Sequence, residues 1–180
     1  MRARLIFPLT AALAAGACAT TTGPDAAPGT YLEIEYVNFA WVPTWQGLVI
    51  DSTGTVHRFD LEGARWSADG DAYVSAEALA DKWQRNRTVH DGIGSGTFAE
   101  LAALLGAADG TLSSPQGGCA DAGVITYSGY RYHPGRDAFE RIVVRREGDI
   151  AQLSTSEAGR ALARRLVELA LRPTIPDCEP

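Results

Sequence analysis

The side chains here that could do chemistry are three histidines, four aromatic residues crowded around one proline, and a few clusters of like charge. A hydrolytic site needs a histidine brought to a nucleophile and a carboxylate. His57, His90 and His133 are far apart, and no H-E-x-x-H or Cys/His spacing suited to zinc occurs. Neither a G-x-S-x-G elbow nor an S-x-x-K pair is present. Each histidine lies in or beside a turn or a strand edge, where a solvated imidazole is expected. A hydrolase with a dispersed site built on His57 or His133 stays open, because such sets carry no fixed spacing.

Three further stretches could hold ligands. "GIGSG" at 92–96 precedes a helix and could offer backbone N–H groups to an anion, but it lacks the lysine and hydroxyl of a P-loop and no strand clearly feeds it; a flexible connection is expected. Asp69, Asp71 and Glu77 do not follow an EF-hand register, and Asp69-Gly70-Asp71 suits a turn, so no metal site is expected. Arg141, Arg145 and Arg146, with Arg160, Arg164 and Arg165, read as a solvated face paired with neighbouring acids such as Glu157 and Glu168. No cofactor motif is found.

The most suggestive stretch is "YVNFAWVPTWQG", where Tyr36, Phe39, Trp41 and Trp45 surround Pro43 between two strands. Trp and Tyr on a connecting loop are what binding surfaces use, and the same residues can also seal the edge of a small sheet. These four are the candidate binding residues, for a protein or cell-wall partner. The formal charge of −6 becomes −8 once Arg2 and Arg4 are set aside, which argues against nucleic acid as a partner.

Arg2 and Arg4, an apolar run from Leu5 to Ala15, and small residues before Cys18 form a positively charged n-region, a short h-region and a cleavage zone. The run is well short of the roughly 20 residues a membrane-spanning helix needs. This stretch resembles the lipobox of bacterial lipoproteins, over residues 1–18 only, with Ala15 in the slot that usually holds a larger aliphatic residue. The resemblance implies acylation of Cys18, which would then be the mature N-terminus held in a membrane. Ala19 after that cysteine implies the outer membrane, with the protein on its periplasmic face. An ordinary secretory signal cut after Ala17 or Ala19 is the alternative, giving a soluble periplasmic or secreted protein.

The cysteine count of three is odd for an exported chain. With Cys18 lipidated, Cys119 and Cys178 are left as a pair expected to join in an oxidising compartment. Closing a loop of about 60 residues would stabilise the fold by roughly 4 kcal/mol in the chain-entropy model. Ala19 to Thr30 has no large apolar residue and reads as a flexible tether.

The elements that must position these residues follow from period. "YLEIEYV" alternates Leu32, Ile34 and Tyr36 against Glu33 and Glu35, a strand with one wet face. Leu48 to Ile50 and Thr55 to Phe59 flank the turn Asp51 to Gly54. Ser75 caps a helix through Leu79 and Trp83, and Thr97 with Glu100 forms a capping box before "FAELAALLGAAD", which ends at Gly110. "VITYSGYRY" and "FERIVVRR" form a hairpin, with a short run at Ile150 to Leu153. Ser154 and Glu157 cap a final helix whose Leu162, Leu166 and Leu169 face inward, stopped by Pro173. Strands, two helices, strands and one helix give a single α+β domain over residues 31–180 with a mostly antiparallel sheet and about three helices, after a signal (1–17) and a lipidated cysteine with its tether (18–30). The expected function is a lipid-anchored envelope protein with a non-catalytic binding domain. A small envelope inhibitor of a secreted protease is an alternative, by fold-level analogy alone.

Overall fold

The structure, a computed structural model, describes residues 29–169. The signal, Cys18, most of the tether, Pro173 and Cys178 lie outside the described residues.

Alternation in the first strand sets the architecture. β1 (Thr30–Asn38) pairs on one side with β2 (Thr44–Ile50) and on the other with β7 (Val124–His133), both antiparallel. Outward from β2 come β3 (Thr55–Asp60) and β5 (Thr88–Gly92). Outward from β7 come β8 (Ala138–Gly148), β9 (Ile150–Leu153) and the two-residue β6 (Gln116–Gly117). The order is β5-β3-β2-β1-β7-β8-β9-β6, with β4 (Tyr73–Val74) also on β8, so the described chain is one antiparallel α+β sheet of nine strands. The three short strands β4, β5 and β6 carry too few alternating residues to be read from the sequence.

Both faces of β1 are covered. Leu32, Ile34 and Tyr36 enter a core with Phe98, Leu101 and Leu105 of α2 (Ser95–Ala107) and Leu162, Ala163 and Leu166 of α3 (Glu157–Glu168). Tyr31 enters a second core with Trp45, Phe59, Trp66, Phe139 and, from α1 (Ala76–Gln84), Leu79 and Trp83. Glu33 and Glu35 point into that same second layer and are 0% and 2% exposed. The expected wet face is therefore corrected. A strand at the centre of a sheet covered by helices on both sides has no solvent face, whatever its alternation.

Capping follows local chemistry with two shifts. Ser75 caps α1 as expected, its Oγ accepting from Ala78 N at 3.1 Å. α2 begins at Ser95 behind Gly94, whose φ of 76° only glycine adopts freely, so Thr97 lies inside the first turn and the expected capping box does not form. β5 leads into this segment, so a strand does feed the glycine-rich stretch. α3 is capped by Ser156, whose Oγ accepts from Gly159 N, while Ser154 Oγ accepts from Ser156 N. The cap thus falls two residues after the expected one.

Gly47 shows how tightly neighbouring strands close over one another on the α1 face of the sheet: a Cβ there would sit 2.6 Å from Phe59 Cζ of β3 and 2.7 Å from the Ile34 carbonyl oxygen of β1. Phe59 is fully buried and the Ile34 carbonyl is held in the central ladder, so neither can yield freely. Gly47→Ala is expected to destabilise the protein by about 1–3 kcal/mol through overpacking, read as a lower urea midpoint with an unchanged m-value.

Candidate functional site

The two carboxylates of β1 organise the α1 side of the sheet. Glu33 Oε1 accepts from Lys82 Nζ at 2.9 Å and from the Tyr130 hydroxyl at 3.0 Å, and its Oε2 accepts from the Trp83 indole N–H at 2.6 Å. Glu35 Oε2 accepts from the Trp45 indole N–H at 2.6 Å and meets Lys82 Nζ at 2.5 Å, while its Oε1 accepts from Arg141 Nη2 at 2.8 Å. Lys82, the single lysine of the chain, is completely buried and also lies 4.5 Å from the centre of the Trp66 ring. Two anions and two cations share this interior, so each charge has a partner.

The group is reflected in the acidities. Burial pushes Glu35 up, but the charges of Lys82 and Arg141, with hydrogen bonds from Lys82 and Trp45, outweigh it and hold the carboxyl at about 2. Burial and the neighbouring Glu33 charge drive the Tyr130 hydroxyl well above its ordinary value, so it serves as a neutral donor.

Beside this cluster the sheet opens into a cleft of about 420 Å³. Glu35, Thr126, Arg141 and Arg146 line it from the strands, Phe39 and Ala40 from the β1–β2 loop, and Asp69 and Gly70 from the turn before β4. Glu35 pairs across the ladder with Thr126, and Thr126 with Arg146, so the three form one row across β1, β7 and β8. Arg141 and Arg146 are five residues apart and would face opposite sides of a regular strand. Between them the register slips: Ser128 opposes Val143 while Tyr127 opposes Arg145, and this bulge brings both arginines to the α1 side.

Arg141 was expected on a solvated hairpin face. Its side chain is instead 8% exposed and locked to Glu35, because β8 carries it under the α1 layer. Its Nη1 lies 3.7 Å from Asp69, and its buried Nε has no hydrogen-bond partner. Arg145 pairs with Glu147, Arg165 with Glu168, and Arg160 and Arg164 are exposed on α3. Asp69-Gly70-Asp71 forms the expected turn, and among the described residues no group of three or more potential ligands is disposed for a metal.

The four candidate aromatics do not form one cluster; only Phe39 and Trp45 among them make a ring contact. Tyr36 turns to the α2–α3 core and donates its hydroxyl to the Ala122 carbonyl at 3.0 Å. Trp45 turns to the opposite core and serves Glu35. Phe39 stands edge-on to Trp45, with the Arg65 guanidinium 5.0 Å from its ring centre. Trp41 is 80% exposed at the tip of the loop, next to Val42 at 73%. Strand alternation separates Tyr36 from Trp45, since residues paired near the end of a hairpin face a side set by register and not by clustering in sequence.

His90 and His133 are exposed, as expected, whereas His57 is buried. Its Nε2 lies 2.9 Å from Asp51 Oδ2, and Arg87 Nη2 lies 2.7 Å from its Nδ1. The Thr53 hydroxyl bonds the other oxygen of Asp51, not the imidazole, so the order is hydroxyl, carboxylate, histidine, guanidinium. A nucleophilic triad needs the hydroxyl on the histidine. Burial raises the Asp51 carboxyl, but the hydrogen bonds from Thr53 and His57 and from the Thr53 and Thr55 backbone more than offset it, leaving it below its ordinary value. The arrangement braces the β2–β3 turn.

Cys119, in the loop between β6 and β7, is disulfide-bonded; Cys18 and Cys178 both lie outside the described residues. No protein-family model, curated protein or solved structure matches the chain.

Lys82→Met would leave the buried Glu33 without a full charge partner and is expected to cost about 3–5 kcal/mol of stability, measured by urea denaturation. Glu35 titrates at about 2 when folded against an ordinary 4.5. A depressed carboxyl contributes stability that is complete above its unfolded value and is lost as pH falls through the folded one. Each pH unit is worth about 1.4 kcal/mol, so the contribution is on the order of 3 kcal/mol. The urea midpoint should fall between about pH 5 and pH 2, and Glu35→Gln should flatten that fall.

Proposed function

We propose that this protein is a lipid-anchored component of the cell envelope, held on the periplasmic face of the outer membrane through Cys18, with a non-catalytic binding domain. The lipobox-like stretch and the tether-like composition up to Thr30 support the anchored reading. The single observation that carries the binding role is the β1–β2 loop. It presents Trp41 and Val42 to solvent on a base fixed by Phe39 against Trp45 and by Asn38 Oδ1 accepting from Ala40 N at 2.8 Å. An exposed tryptophan on an ordered base is the anchor that protein and cell-wall partners use, because it buries a large area at little conformational cost. The Cys119–Cys178 bond belongs to this proposal as the closure of the exported domain. The presented Trp41–Val42 tip also favours a second reading, in which the loop enters a secreted protease as an inhibitor.

Two measurements test this. The intact mass of the protein from a diderm host envelope should begin at Cys18 with acyl groups added, and Cys18→Ala should move it to the soluble periplasmic fraction; a full-length or unacylated chain would overturn the anchor. A photo-crosslinking residue at position 41 should capture a defined envelope partner that one at Val89, equally exposed on the far β5 edge, does not. Equal yields at both positions would overturn the binding role, and capture of a protease at position 41 would select the inhibitor.

A further inference from the structure

Arg146 is the unusual charge of the cleft. It is partly buried, its side chain hydrogen-bonds from Nη1 to the neutral Gln152 amide at 3.0 Å, and among the described residues it forms no ion pair with a carboxylate. Two other arginines of β8 and α3 show what an ion-paired guanidinium looks like here: Arg145 meets Glu147 at 2.6 Å and Arg165 meets Glu168 at 3.0 Å. Arg146 instead stands in the same cleft as Arg141, placed there by the β8 bulge.

Arg141 faces the same opening with capacity to spare. Its Nη2 is committed to Glu35, but its Nη1 has only Asp69 at 3.7 Å, beyond hydrogen-bond length, and the Asp69 side chain is 57% exposed. Its Nε is buried without a partner. Two guanidinium groups are thus held on one wall; Glu35 and Asp69 act on both through charge, but among the described residues neither acid forms an ion pair with Arg146. Burial first, and then the adjacent positive charge of Arg141, lower the affinity of Arg146 for its proton, and the charges of Asp69 and Glu35 only partly offset them. Among the other lining residues, Asp149 is engaged by Ala122 N at 2.8 Å, while Phe39, Val37 and Val124 give the cleft an apolar side.

We propose that this cleft binds a small organic anion, its carboxylate or phosphate lying between Arg146 and Arg141 and its apolar body against Phe39 and Val124. Guanidinium forks match both anionic groups in geometry. The volume of about 420 Å³ lies within the range of small-molecule sites. Asp69 acts as a built-in competitor: loosely held and exposed, it occupies the approach to Arg141 until a better-placed anion displaces it. The inference rests on reading the cleft beside the β1–β2 loop as the ligand-facing surface of a binding domain, and does not depend on the lipid anchor.

The test is calorimetric titration of the purified full chain at low salt with phenylacetate, phenyl phosphate and, as a neutral control, benzyl alcohol. At least one anion should bind saturably and the alcohol should not. Arg146→Met should weaken the anion at least tenfold, Asp69→Asn should tighten it, and Arg145→Met, which removes a paired guanidinium outside the cleft, should change nothing. Opposite signs from Arg146 and Asp69 are what a merely structural role would not produce, and Asp69 is exposed enough for its variant to fold. Preference for phenylacetate identifies a carboxylate ligand and preference for phenyl phosphate a phosphate one; equal binding identifies the shared anionic head. No saturable anion binding, or binding that ignores both Arg146 and Asp69, would overturn the proposal. Loss of the proposal would leave crosslinking at position 41 intact if the domain binds its partner through the loop alone, and failure of that crosslinking would leave the anion titrations unaffected.

Discussion

Two carboxylates buried next to each other on a central strand are the constraint around which the α1 half of the protein is built. Neither Glu33 nor Glu35 could remain ionised in an apolar layer without donors, since the cost of desolvating an unpaired charge is several kcal/mol. The structure meets this with Lys82 from α1, Arg141 from β8, the indole N–H groups of Trp45 and Trp83, and the Tyr130 hydroxyl. Those donors come from β2, α1, β7 and β8, so satisfying one pair of carboxylates fixes where a helix and three strands lie relative to β1. Apolar contacts alone would permit α1 to slide or rotate on the sheet, whereas hydrogen bonds to Glu33 from two successive residues, Lys82 and Trp83, define its register.

The same demand produces the cleft. Arg141 is drawn under the α1 layer by Glu35, and this leaves one edge of its guanidinium at the boundary between interior and solvent. The β8 bulge then sets Arg146 beside it, and the β1–β2 loop, anchored by Phe39 on Trp45, supplies the opposite wall. A residue that seals the core, Trp45, thereby also supports a loop whose tip is free for a partner. The anchor proposed at Cys18 and the binding surfaces proposed here are separated in sequence by a stretch, Ala19 to Thr30, that has no large apolar residue.

Much of the fold was legible because it rests on local rules. Alternation marked β1, β7 and β8, the Ser75 cap marked α1, and the spacing of Leu162 and Leu166 marked the inward face of α3. The start of α2 at Ser95 and the cap of α3 at Ser156 were missed because several residues near each end could cap, and the winner is decided by where the preceding strand releases the chain. The site was less legible. Glu33 and Glu35 have the pattern of solvated residues, and His57 sits in a turn-like context, yet all three are buried. One signal was present: the chain has a single lysine, and it falls within an otherwise core-forming helix next to Trp83.

The sequence by itself determined the α+β class, the order of the main elements and the expectation of an exported, tethered chain, because period, turn chemistry and composition act over a few neighbouring residues. Only the tertiary structure decided that β1 is covered on both faces, that Tyr36 and Trp45 part to opposite cores, and that Glu35, Arg141 and Arg146 meet at one cleft. These outcomes depend on strand order and on one slipped register between β7 and β8. Both are settled by which surfaces find each other across long stretches of chain, and no local pattern records them.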